Sequence, residues 1–139
     1  MRSPFKLSLL LILCWLTNFS QVKKEKESAV KLIDDFKLKN TDNTWVSLSS
    51  FGSVRGFIII FTCNHCPFAK LYSQRLNELN SKYLKQGVPL IAINSMDSAV
   101  YEDETFSLMQ EKSAGEKANY PYLQDANQTV GKIFGAAYT

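Results

Sequence analysis

Cys63 and Cys66 stand three apart in the segment Phe61-Thr62-Cys63-Asn64-His65-Cys66-Pro67, and that spacing fixes the chemistry open to them. Sulfurs one helical turn apart can cycle between a dithiol and a disulfide. An apolar run precedes the pair and a helical pattern follows it, so the motif falls where a strand turns into a helix. Unpaired backbone N–H groups and the positive end of the helix dipole stabilise a thiolate at such a place. By position Cys63 is expected to be the nucleophile, with Cys66 resolving the mixed disulfide by attacking the Cys63 sulfur. His65, when protonated, would set a positive charge beside the thiolate, lower its pKa and make the disulfide more oxidising. Pro67 suits the first helical turn, where its missing N–H would have no partner in any case.

Other uses of the same residues are less well supplied. Zinc would need two more ligands, yet the sequence has no second CxxC and a single histidine. Haem attachment requires histidine directly after the second cysteine, where Pro67 stands. No metal and no cofactor is therefore expected. A purely structural disulfide, with His65 a solvated loop residue, remains the competing use of the motif.

Several elements must position the pair. Phe36-Lys37-Leu38 and Trp45-Val46-Ser47-Leu48 alternate apolar and polar residues around Asn40-Thr41-Asp42-Asn43, a hairpin signature. Phe57 to Phe61 is an unbroken apolar run rich in β-branched residues, as expected of a strand covered on both faces. From Phe68 the apolar positions take helical spacing through Leu71, Tyr72, Leu76, Leu79 and Tyr83. Gly87 closes this helix and Val88 to Ile93 follows as a second apolar strand. Strand, helix and strand together occupy 37 residues from Phe57 to Ile93, the size of one right-handed βαβ unit. Further on, Glu102-Asp103-Glu104 precedes a helix carrying Phe106, Leu108 and Met109. A last short helix follows Asp125 as N-cap, with Gln128 at the capping-box position and Gly135 as C-cap. Trp45, Tyr72 and Tyr83 are expected in the core.

Length and charge narrow the setting. The 139 residues suffice for one domain, with 45% apolar and 21% charged residues as in ordinary globular proteins. Arg2 and Lys6 followed by the ten-residue apolar stretch Leu7–Leu16 read as a secretory signal, too short to span a bilayer. The chain thus divides into a signal peptide (1–20), a charged linker (21–32) and one domain (33–139). Beyond residue 20, 14 basic residues face 13 acidic ones, a net charge of +1 against +3 for the whole chain. Nothing in that balance suggests nucleic-acid binding. Cleavage would remove Cys14 and leave a single close pair in an exported protein, periplasmic or secreted, where disulfides persist. Membrane contact is expected only if the N-terminal segment is retained.

The segments Gly56 to Lys70, Gly87 to Asn94 and Tyr120 to Asp125 resemble thioredoxin-like redoxins of the alkyl hydroperoxide reductase/thiol-specific antioxidant-like type. The resemblance covers roughly Ile33 to Thr139 and is strongest around the CxxC. It implies an α/β, thioredoxin-like fold with an N-terminal β-hairpin, and a thiol–disulfide oxidoreductase working on protein thiols and disulfides through Cys63, His65 and Cys66, together with a redox partner. Three departures qualify it. Peroxiredoxins place threonine or serine three residues before the peroxidatic cysteine, whereas Cys63 itself stands three before Cys66, so the peroxidase pattern is absent; a thiol peroxidase using Cys63 is the enzymatic alternative. A redox-inert binding domain with a structural disulfide is the non-enzymatic one. Thioredoxins proper carry tryptophan before the first cysteine and an acid in the preceding strand; here Thr62 precedes Cys63 and Phe57 to Phe61 lacks a carboxylate. The chain also ends at Ala136-Ala137-Tyr138-Thr139, about where the family's cis-proline loop, hairpin and helix would follow, as expected of a truncated fold.

Overall fold

Leu90–Asn94 (LIAIN) is buried at every position, and the other elements are arranged around it. The computed structural model describes residues 33–136; the expected signal segment (1–20) and linker (21–32) lie outside the described residues. In order the chain forms β1 (Lys37–Asn40), β2 (Trp45–Ser47), a 3-10 turn (Leu48–Phe51), β3 (Ile58–Phe61) and α1 (Pro67–Leu84). There follow β4 (Leu90–Asn94), a second 3-10 turn (Glu102–Glu104), α2 (Phe106–Gly115), β5 (Tyr122–Gln124) and α3 (Thr129–Phe134). The strands make one sheet in the order β2-β1-β5-β4-β3. β3, β4 and β5 run parallel, while β1 is antiparallel to β2 and β5.

Alternation along β4 explains the layers. Leu90 and Ala92 face a core completed by Met109, Tyr120 and Tyr122, against which Leu76 and Leu79 of α1 and Phe106 of α2 pack. Ile91 and Ile93 face the other way, into a core of Phe36, Leu123 and Val130 that Phe61 and Phe134 complete. The period of two along each strand separates these faces. Helices thus cover both sides of the sheet, α1 and α2 on one and α3 on the other. None of the helices among the described residues is long and apolar enough to cross a membrane.

The expected hairpin, βαβ unit and later helices form, and the thioredoxin-like class holds. Asn43 takes the left-handed turn position at φ 68°, and Asp42 fixes the turn by accepting from the Thr44 N–H at 2.8 Å. Gly87 (φ 75°) lets the chain leave α1 toward β4.

Two expectations fail, β3 is less buried than a strand covered on both faces, and one strand appears that the sequence did not mark. β3 packs against both cores through alternate residues, Ile59 and Phe61 on one face and Ile58 and Ile60 on the other, but is only half-buried because it is an edge strand among the described residues. Trp45 is 60% exposed on the outermost hairpin strand. The helical stripe is core only at Leu76 and Leu79; Phe68 (72% exposed), Leu71 and Tyr72 stand in solvent beside β3. Tyr122–Gln124 is a strand too short to register as one by periodicity, and pairing with β4 and β1 makes it.

Asp125 also acts differently from an ordinary N-cap. Gln128, in the left-handed region, caps α3. The buried Asp125 carboxylate instead accepts from the N–H groups of Thr129 (3.0 Å) and Gly131 (2.8 Å) and from the Ser95 hydroxyl (2.9 Å). A side chain at position 131 would press on Ser95, whose Oγ lies 3.0 Å from where a Cβ would stand. Asp125→Ala leaves three donors without an acceptor and should destabilise the fold by about 2–3 kcal/mol, read as a lower urea midpoint at unchanged slope.

Candidate active site

Parallel pairing brings the carboxyl ends of β3 and β4 to one edge of the sheet, the edge where open α/β folds place their sites. Thr62 extends the ladder by donating its N–H to the Ile93 carbonyl at 2.9 Å. The chain then leaves the sheet: Cys63, Asn64 and His65 form a turn, and the helix begins only at Pro67, with Cys66 as its extended N-cap residue. Both cysteines are free thiols.

Their surroundings are unequal, and not in the expected sense. The helix donors serve Cys66: the N–H of Ala69, helped by that of Phe68, holds its thiol below the ordinary cysteine range, and the neighbouring Cys63 thiol adds to this. Cys63, only 1% exposed, is pushed up. Burial is the main cause, outweighing the Cys66 N–H that reaches it, and the negative charge of Glu104 acts in the same direction. The sequence places the stabilised thiolate on Cys63 because it takes the CxxC as the helix start. The helix in fact starts one residue after the second cysteine.

Beneath the turn lies a residue that the sequence reading took only as one of three acids ahead of a helix. Glu104, 1% exposed, reaches the motif from the 3-10 turn ahead of α2. Its carboxylate accepts from the N–H of Asn64 (2.9 Å to Oε2, 3.0 Å to Oε1), the N–H of His65 (3.0 Å), and Asn94 Nδ2 (2.6 Å). The fourth partner is His65 Nδ1, 2.5 Å from Oε1. Burial works to raise the pKa of Glu104, but these donors outweigh it and the group titrates below its ordinary value. His65 is therefore hydrogen-bonded to Glu104 and stacked on Tyr101, with ring centroids 5.8 Å apart and planes 11° from parallel. It is not a free loop residue.

Asn64 locks the arrangement from the other side. Its Nδ2 donates to the Asp103 carbonyl (2.9 Å), and its Oδ1 accepts from the Tyr122 hydroxyl (2.9 Å), which burial holds in its protonated form. No short-range sequence signal marks Glu104 as a partner of Asn64, since 40 residues separate them. A lone acid ahead of a helix looks the same whether it is solvated or buried.

One ligand atom each of Cys63, His65 and Glu104 lies within 4.8 Å of the others, a grouping that merits a test as a metal site. The fit is poor. The oxygens of Glu104 already accept from four donors, and the 2.5 Å His65–Glu104 approach is that of a hydrogen-bonded pair. The carboxylate is committed to holding the turn.

Access to the sulfurs comes from the β3 side. A cleft of about 330 Å³ is lined by Cys63, Cys66, Phe61, Phe68 and Tyr72, and is mainly apolar. A separate polar hollow of about 380 Å³ lies along His65, Asp103 and Lys112.

A parallel β-α-β unit with free cysteines where strand gives way to helix defines a thioredoxin-like redox protein. The chain belongs to the AhpC/TSA family, whose family model matches residues 30–139. It is similar to the structure of an uncharacterized conserved protein from Geobacillus kaustophilus (35% identity, TM-score 0.73, 78% of this chain and 58% of that one). It is also similar to a hypothetical protein from Sinorhizobium meliloti 1021 (30% identity, TM-score 0.69, 73% and 56%). The chain thus spans less than two thirds of the length of either. A secreted Mycobacterium tuberculosis disulfide oxidoreductase homologous to E. coli DsbE shares the fold at 14% identity (TM-score 0.60, 75% and 70%). A comparison with curated proteins finds no match.

Glu104 carries a linkage prediction. Its folded pKa lies below the unfolded value of about 4.3, so its stabilisation is complete above that value and is lost as pH falls through the folded pKa. Glu104→Gln should lower stability at pH 7 by about 3 kcal/mol, by leaving buried donors and His65 without their carboxylate. The deficit should narrow on acidification below about pH 4, measured by urea unfolding across pH.

Proposed function

We propose that this protein is an exported thiol–disulfide oxidoreductase whose Cys63–Cys66 pair alternates between dithiol and disulfide. The observation that carries the reading is the unequal pair itself. One sulfur sits at a helix N-cap with backbone donors, the other is buried beside a paired carboxylate, and both open on one apolar cleft. A purely structural disulfide has no use for such a difference between its sulfurs. Membership of a redoxin family supports redox chemistry in general. The N-terminal apolar stretch after Arg2 and Lys6 supports export to an oxidising compartment, where disulfides persist.

The substrates would be protein thiols and disulfides, docked on the apolar residues that flank the cleft. A second protein of the same chemistry would return the pair to its working state. His65, held against Glu104, contributes a positive charge when protonated and so favours the reduced, anionic form of the site.

The reduction potential of the pair, measured in glutathione or dithiothreitol buffers with alkylation as the readout, tests this reading. A value between about −120 and −270 mV identifies an exchange catalyst and suggests its direction. One below about −300 mV would leave only a structural disulfide. Hydrogen peroxide consumption that is cysteine-dependent and faster than exchange with a small disulfide would move the assignment to a thiol peroxidase.

A further inference from the structure

The potential of a dithiol pair depends on how far its surroundings prefer the reduced form, which can carry a thiolate, over the neutral disulfide. Charges fixed beside the sulfurs therefore shift it. A lone imidazolium would favour the reduced form, but His65 is not alone. Its Nδ1 lies 2.5 Å from Oε1 of Glu104, and one ligand atom each of Cys63, His65 and Glu104 falls within 4.8 Å of the others. The carboxylate also accepts from Asn94 Nδ2 (2.6 Å) and from the N–H groups of Asn64 and His65 (2.9 to 3.0 Å), donors that keep it ionised at neutral pH. Glu104 and Asn94 reach the motif from the 3-10 turn ahead of α2 and from the end of β4, on the inner side of β3 in the sheet order and not at its edge. The other charged groups by the turn, Lys70 on α1, Asp103, and Glu111, Lys112 and Glu116 from α2 and its end, line the polar hollow beside His65, where Lys112 is paired with Glu116 at 3.1 Å.

The acid and the imidazole together carry no net charge when His65 is protonated and one negative charge when it is not. In neither state is the dyad positive, and the carboxylate opposes a thiolate on the buried Cys63. We propose that Glu104 is a positioning residue that lowers the reduction potential of the Cys63–Cys66 pair, by holding His65 in place and cancelling its charge. The proposal rests on the exchange function above and adds the residue that biases its equilibrium toward the disulfide. Reduction of the pair takes two electrons from a partner dithiol. The two sulfurs of that dithiol join in a disulfide and the Cys63–Cys66 bond breaks. The two protons of the dithiol pass to the pair or, where one sulfur stays a thiolate, one of them passes to solvent. Glu104 disfavours the thiolate and leaves the neutral disulfide untouched, so the reduced pair gives up its electrons more readily than the same motif with an unpaired histidine.

Equilibration of the full chain with glutathione buffers at pH 7, read by alkylation, tests this. Glu104→Gln should shift the equilibrium toward the dithiol at least tenfold, about 30 mV upward. Glu104→Asp keeps the charge and should stay within about threefold of wild type, whereas a residue that only held the turn would move the potential in both variants or in neither. An unchanged equilibrium in Glu104→Gln, or an equal shift in Glu104→Asp, overturns the proposal. Should Glu104→Gln not fold, His65→Gln takes its place, since it strands the carboxylate beside Cys63 and should shift the equilibrium toward the disulfide about tenfold; no shift overturns the proposal. A wild-type pair that never equilibrates removes the exchange function instead. The effect of Glu104 is then read from iodoacetamide labelling of Cys63 in the Cys66→Ser background at pH 7. Glu104→Gln should speed that labelling about tenfold, the thiolate gain of one pKa unit, and an unchanged rate overturns the proposal.

Discussion

A single buried carboxylate organises the redox site. Glu104 accepts from two backbone N–H groups of the turn between β3 and α1, from Asn94 at the end of β4, and from His65 Nδ1. A charge taken out of water at this depth is tolerable only with such a full set of partners, and removing any of them leaves it exposed to the low-dielectric interior. The requirement runs both ways. The turn carrying Cys63 has N–H groups that would be orphaned without Glu104, so the conformation of the motif and the ionisation of the acid depend on each other.

The unequal cysteines follow from that anchoring. Drawing Asn64 and His65 down onto Glu104 sinks Cys63 between the sheet and the acid, and leaves Cys66 at the mouth of the helix. Two separate fields then act on sulfurs only three residues apart. Backbone donors at the start of α1 favour negative charge on Cys66, while burial and the carboxylate disfavour it on Cys63. The tether of Asn64 to Asp103 and Tyr122 keeps the turn from relaxing toward a more even arrangement.

The surroundings of the sulfurs are apolar and open on one side among the described residues. β3 is an edge strand among the described residues, and Phe68 and Tyr72 present apolar surface alongside it, at the cleft that contains the sulfurs. Apolar side chains gathered around a reactive group mark surfaces that are covered in use more often than surfaces that stay wet. The rest of the sheet provides rigidity: β4 is buried on both faces and fixes Asn94, and Asp125 secures α3 behind it.

The sequence by itself determined most of the local elements and pointed to the class of chemistry. Alternation marked the hairpin, apolar runs marked β3 and β4, helical spacing marked α1, and the three-residue interval between Cys63 and Cys66 marked a candidate redox site, because each is written in neighbouring residues. Tertiary structure alone decided which sulfur is buried, that His65 is paired, and that Glu104 is the acid beneath them. It also decided that Phe68 and Trp45 face water and that Tyr122–Gln124 joins the sheet. Those outcomes depend on residues some 40 positions apart meeting at one edge of the sheet, and on which strand lies at the margin. Periodicity reports that a residue has an apolar side; only packing decides what, if anything, that side is set against.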